Sequence, residues 1–160
     1  MFLFEDYEKI FGKIMNVDGV VFGVSNYINS VSAPIKTLFD RFSYVTHCQI
    51  LTGKFGCSVC TAVGSGDDEV LKYMNSILVN LGVIVVGSIG VVIRRDLSGL
   101  ENYIVPAQDI GKKLIKSIRR EIKYTDQDEI NRQRIEYFCQ LQNSIRSTLP
   151  TIIIGMSRND

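Results

Sequence analysis

The sequence carries almost no net charge. Its 18 Lys and Arg residues stand against 17 Asp and Glu in 160 residues. That leaves no broad basic surface and argues against a nucleic-acid partner. There is a single histidine, His47, and there are four cysteines. Cys57 and Cys60 have the spacing of a metal knuckle, but Cys48 and Cys139 supply no matching second pair. His47 adjoins Cys48 in the chain, an awkward arrangement for shared coordination, so no metal site is expected. No grouping of acids, bases or nucleophiles reads as a catalytic set, and no catalytic side chain is expected either. Long apolar runs are also missing: VIVV and TIII fall far short of the roughly 20 residues of a membrane span. The start, MFLFEDYEK, has no basic flank and soon becomes charged, unlike a signal peptide. These absences lead us to expect a cytoplasmic protein with no membrane partner and with reduced thiols.

What is present is the composition of one globular domain, 46% hydrophobic and 22% charged, long enough to bury a sizeable core. EDYEKIFGKIMNV reads as a short amphipathic helix through Tyr7, Ile10, Phe11 and Ile14. DGVVFGV is a continuous apolar run, the pattern of a strand covered on both faces. SAPIKTLFDRFSY is a helix that Ser32 can cap and Pro34 can open, with Ile35, Leu38, Phe39 and Phe42 facing inward. The cycle repeats with strand KFGCSVCTAV, turn GSGDD and a helix closed by Gly82. A third strand, VIVVGSIGV, leads through an irregular RRDLSGLENYIV into a helix from Pro106. Strand and helix alternating in this way predict an α/β fold, a parallel sheet with helices on both faces. Cys57 and Cys60, three apart on one strand, point to opposite faces as buried structural thiols. Residues 126–148 read as a polar helix with a narrow apolar stripe, Ile130, Ile135, Phe138, Leu141 and Ile145. Pro150 is expected to break it, leaving TIIIGMS as an edge strand or docked arm.

Ligands of open parallel sheets gather outside the carboxyl ends of the strands. VSNYINS, TAVGSGDD and SIGVVIRRDLSG would occupy that rim. The first two are rich in backbone donors, hydroxyls and small side chains. They read either as plain turns or as the rim of a site for a flat, hydrogen-bonding ligand, with Tyr27 against a ring and the amides around Asn26, Ile28 and Asn29 at its polar edge. Arg94 and Arg95 are either anion contacts or a solvated face.

The stretch DGVVFGVSNYINSVSAPIKTLFDR resembles the central motif of the flavodoxin-like NADPH-dependent FMN reductase family, which includes the iron–sulfur flavoproteins. Asp18, Gly19, Gly23, Tyr27, Ser30, Ser32, Lys36, Asp40 and Arg41 fit its pattern. Thr61, Gly64 and Gly66, followed by acidic residues and a helix, fit the family's second loop, and Gly82 to Gly87 fit its lead into the next strand. The likeness spans roughly residues 4–120. It implies a flavodoxin-like three-layer sandwich over residues 1–124. Residues 125–160 would then form a C-terminal helix and apolar tail packed on the same domain or on a partner. It also implies an FMN site in which Ser25, Asn26, Tyr27, Ile28 and Asn29 lie beside the isoalloxazine, while Thr61, Ala62, Val63, Gly64, Ser65 and Gly66 line its other edge. The activity implied is hydride transfer from NADPH or NADH to FMN, then to a small-molecule or protein acceptor, with a homodimer as one form family members take. The family's iron–sulfur branch carries its cysteines upstream of this region, so no cluster is inferred.

Two departures stand out. Ser25 occupies a position where the family usually has proline, restoring an N–H and loosening the loop. The family's opening strand and phosphate-binding loop have no counterpart here, so the fold is expected to be N-terminally incomplete. The alternative function is therefore a truncated, non-catalytic flavodoxin-like protein with weak or no flavin binding. The strand at 19–24 would then present an open edge, to be met by a second copy or by TIIIGMS folding back.

Overall fold

The structure is a computed structural model that describes residues 4–93 and 99–156. Helix α1 (Phe4–Met15) leads into strand β1 (Gly19–Ser25), helix α2 (Ala33–Thr46), strand β2 (Phe55–Ala62), helix α3 (Asp67–Asn80) and strand β3 (Ile84–Val92). A 3-10 turn (Leu100–Tyr103) then opens α4 (Ile104–Ile118), and α5 (Thr125–Met156) follows. The strands form one sheet in the order β1-β2-β3, with both pairings parallel. The α/β architecture expected from the alternating pattern is what the chain adopts.

One face of the sheet carries the main core. Val20, Phe22 and Val24 of β1 and Cys60 of β2 pack with Phe39 and Phe42 of α2 and with Met74 and Leu78 of α3. Tyr7 and Ile14 bring α1 into the same cluster. Each such fully buried side chain contributes about 1.5–3 kcal/mol. The second face carries a smaller cluster, in which Phe55, Cys57, Ile84 and Val86 meet Ile110, Leu114 and Ile118 of α4. Cys57 and Cys60 thus sit in different clusters on opposite faces, both free and buried. Burial raises both thiols above their ordinary pKa, and Asp67 adds to the rise at Cys60.

Strand β1 is covered on one face rather than two. Its burial alternates, and Val21 is 58% exposed. The reason is the reach of α4, which meets β1 at Gly19, where an added Cβ would lie 2.7 Å from Ile118 Cδ1. The apolar run at 19–24 therefore reflects strand propensity as well as burial.

Local chemistry explains most helix ends. Pro34 occupies the first turn of α2, where its missing N–H costs nothing. Ser32 takes the N-cap position and its carbonyl accepts from Lys36 N at 2.9 Å, but its hydroxyl makes no capping bond. Helix α3 closes as read, with Gly82 at φ +92°. Gly82 N donates to Val79 O and Val83 N to Leu78 O, both at 3.0 Å, a Schellman motif. Helix α4 begins at Ile104 instead of Pro106.

The C-terminal expectation is overturned. Helix α5 runs unbroken through Pro150 to Met156, so Thr151–Met156 are helical and form no edge strand. A helix nucleated well upstream can pass a proline at the loss of one hydrogen bond. Among the described residues β2 is the only strand beside β1. The α5 base is tied down by Gln127, which bonds Val85 N at 2.9 Å and Val85 O at 3.1 Å, and by Asn131 Nδ2, which donates to Gly82 O at 3.0 Å.

Gln49 is 2% exposed at φ +42°, and neither polar atom of its side chain has a partner among the described residues. An unmade bond at a buried amide costs about 1–3 kcal/mol. Gln49→Met should therefore raise stability by about 1 kcal/mol in urea denaturation. A loss of stability would show that the amide is satisfied, for example by buried water. In dilute protein, a thiol reagent should label Cys48 and Cys139 rapidly and reach Cys57 and Cys60 only on unfolding. Equal rates at all four would contradict their burial.

Candidate functional site at the strand tips

The register of β1 on β2 sets Ser25 opposite Thr61. The two expected loops therefore leave the sheet side by side. Ser25 Oγ and Thr61 Oγ1 lie 3.0 Å apart, and Asn26 N donates to Thr61 O at 2.7 Å. Asn26 Nδ2 then crosses to Ser65 O at 2.8 Å. Since Ser65 O is an acceptor only, this bond fixes the amide's orientation. Asn26 Oδ1, buried, is left with no partner among the described residues.

The first loop turns at residues 27–30. Tyr27 N donates to Ser30 O at 2.9 Å and Ser30 N to Tyr27 O at 3.1 Å, with Ile28 at φ +51° and Asn29 at φ +55°. Two consecutive left-handed residues make a type I′ turn, whose usual sequence is Asn-Gly. A β-branched residue in this conformation is strained. Ile28 is also fully exposed, so its side chain makes no contact that offsets the strain.

Glycines shape the second loop. Gly64 sits at φ +96° with open space where a Cβ would be, and Gly66 at φ +89°. A Cβ on Gly66 would lie 2.6 Å from Asn26 Nδ2 and closer still to Asn29 Oδ1, so the loops interlock there. The first turn of α3 carries Asp67, Asp68 and Glu69. That acidity opposes an anion at the helix's positive end.

Ser25, Tyr27 and Thr61 line an open cavity of about 440 Å³ with Gly23, Val24, Ser32 and Val59. Val59 was absent from the expected site. Its signal is the two-residue period of β2, which puts it on the face of Thr61. Asn26, Asn29 and Gly66 form the joint between the loops, while Tyr27, Ile28 and Val63 project into solvent at 62%, 101% and 86% exposure. Ala62 is buried, and its carbonyl accepts from Ile93 N at 2.8 Å. Among the described residues, the backbone N–H groups of Ile28, Asn29, Val63, Gly64 and Ser65 have no backbone partner. Arg94 and Arg95 lie outside the described residues.

Other motif residues hold the fold. Lys36 pairs with Asp40 one turn along α2, and the Arg41 guanidinium lies 5.6 Å from the Tyr7 ring centre. Asp18 O accepts from Phe55 N at 3.0 Å.

Residues 4–97 match the NADPH-dependent FMN reductase family. No curated protein sequence matches the chain. Among solved structures, the chain resembles the Trp repressor binding protein from Bacillus subtilis, with TM-score 0.53 and 16% identity over 70% of this chain and 72% of that one. It also resembles the apo form of an NADH:FMN oxidoreductase, with TM-score 0.50 and 18% identity over 73% of this chain and 60% of that one. A third likeness is to rubredoxin oxygen:oxidoreductase from Desulfovibrio gigas, with TM-score 0.56 and 13% identity over 74% of this chain and 27% of that one. These similarities establish a flavodoxin-like fold.

Strain at residue 28 is directly testable. A left-handed β-branched residue costs roughly 1–2 kcal/mol, so Ile28→Gly should raise stability by about 1 kcal/mol. Denaturant melts of the two forms would read this out, and an unchanged or lower midpoint would show that the Ile28 conformation is not strained.

Proposed function

The chain belongs to the NADPH-dependent FMN reductase family, and from that premise we propose that it is an FMN-dependent oxidoreductase. Electrons would pass from NADPH or NADH to a small-molecule or protein acceptor. The observation that carries this reading is the joined rim. Two loops that are distant in sequence meet through Ser25, Asn26, Thr61 and Ser65, and set one exposed aromatic ring, Tyr27, and two hydroxyls, Ser25 and Thr61, at a cavity beside backbone N–H groups that have no backbone partner among the described residues.

The donor set suits the ring end of FMN, whose edge alternates hydrogen-bond acceptors with an N–H. Amides of residues 28–29 and 63–65 would meet the acceptors. Tyr27 would pack on the ring face. Thr61 and Ser25 supply hydroxyls at the strand tips, Gly64 and Gly66 let the backbone come close, and Ala62 contributes its backbone while its side chain anchors the loop. When bound, FMN supplies the hydride-transfer chemistry, and this chain's residues bind and orient it. None of them needs to act as an acid, base or nucleophile. The buried free thiols accord with a cytoplasmic location, and among the described residues no helix is long and apolar enough to cross a membrane.

A second reading, a flavodoxin-like protein that binds flavin weakly and does not catalyse, is favoured by one observation. Among the described residues no basic side chain lines the cavity, and the neighbouring helix start is acidic. A phosphate would find no charge-assisted partner among those residues.

Fluorescence titration of the purified chain with FMN separates the two. Saturable quenching is expected, with Tyr27→Ala weakening affinity by about tenfold, the equivalent of about 1.4 kcal/mol. No saturation up to millimolar FMN would establish the second reading. Wild-type affinity and spectrum in Tyr27→Ala would remove Tyr27 from the ring.

A further inference from the structure

The cavity at the strand tips has a chemical character that contacts to a flat ring leave unused. Among the residues lining it, Ser25, Tyr27, Ser32 and Thr61 carry hydroxyls and none carries a charge. Ser25 Oγ and Thr61 Oγ1 pair at 3.0 Å. That bond engages one O–H, so the second O–H and the other lone pairs remain for a ligand. Ser32 stands at the N-cap of α2, yet its hydroxyl makes no capping bond. Gly23 also lines the cavity, and a Cβ added there would meet nothing within 4 Å. The cavity is therefore open at β1 and ringed by neutral groups that both donate and accept.

The charges beside it have the sign that repels an anion. Asp67, Asp68 and Glu69 fill the first turn of α3, just after the Ser65 carbonyl that Asn26 holds. Lys36, the first cation along α2, is paired with Asp40. A phosphomonoester carries about 1.5 to 2 negative charges at neutral pH and is bound strongly through charge-assisted hydrogen bonds.

We propose that the cavity takes the neutral polyhydroxy chain of a flavin, which makes riboflavin, the phosphate-free form, a ligand held at least as tightly as FMN. This rests on the flavin reading and names the part of the ligand that the cavity recognises. With the ring at the loop amides and Tyr27, the ribityl hydroxyls exchange O–H···O bonds with Ser25, Ser32 and Thr61. Hydroxyls suit hydroxyls here because each partner can donate or accept as the flexible chain requires. A phosphate at the end of that chain gains no cation among the described residues and meets the field of the α3 carboxylates.

Fluorescence titrations with lumiflavin, riboflavin and FMN test it, since these share the ring and add first the ribityl chain and then the phosphate. Riboflavin should bind about tenfold tighter than lumiflavin, and FMN no tighter than riboflavin. In about 0.01 M salt, where charges act over about 30 Å, FMN should be the weaker of the two, and the gap should narrow at about 0.15 M. Ser32→Ala should cost riboflavin about fivefold and leave lumiflavin unchanged. Its melting should match the parent, because the hydroxyl caps nothing. Gly23→Val, which fills the open floor, should weaken riboflavin and FMN and spare lumiflavin. FMN bound more than about tenfold tighter than riboflavin would reveal a charge-assisted phosphate contact, overturning this inference while the flavin reading stands. Equal affinities for lumiflavin and riboflavin would overturn it as well. No saturable binding of any of the three would remove the flavin reading and this inference together.

Discussion

The rim depends on the parallel register that puts Ser25 level with Thr61. From that pairing the chain turns both strand ends into one structure. Asn26 is used twice, its backbone N–H on Thr61 O and its side chain on Ser65 O. Gly66 closes against the same amide at φ +89°, a left-handed conformation that strains any larger residue. A shift of one residue would move Ser25 and Thr61 to different faces and separate the loops. The strained turn at Ile28 persists because both of its ends are held, at Tyr27–Ser30 and at the Asn26 bridge.

The sheet is unevenly covered, and this shapes everything outside the rim. Helices α1, α2 and α3 bury one face of the sheet through a large aromatic and aliphatic cluster. Helix α4 buries the other face over β2 and β3 and touches β1 at Gly19. The open half of that face, above Gly23, Val59 and Thr61, is where the cavity lies. The cavity opens where packing is withheld, the place where ligand clefts lie at the strand ends of open sheets.

Much of this was legible in the residues. Continuous apolar runs separated by helical periods led to three parallel strands, and Gly82 marked a helix end because only a left-handed residue completes that cap. The two loops were legible as a pair because composition and strand order both placed them at the same rim. What the residues did not disclose was coverage: GVVFGVS reads alike whether one face or two is buried, and only the position of α4 decides it. Val59 escaped notice because it lies inside a strand, where site and core side chains have the same chemistry. The C-terminal segment was misread because a proline followed by β-branched residues favours an extended form locally, while the helix already built upstream outweighs that preference.

Hydrogen exchange followed by mass spectrometry, with and without FMN, reports on the rim without relying on catalysis. New protection should be confined to two stretches, residues 25–30 and 61–66, with the sheet interior unchanged. Protection that appears in only one of them, or chiefly on α5 or α1, would contradict a flavin held jointly by the two loops at the strand tips.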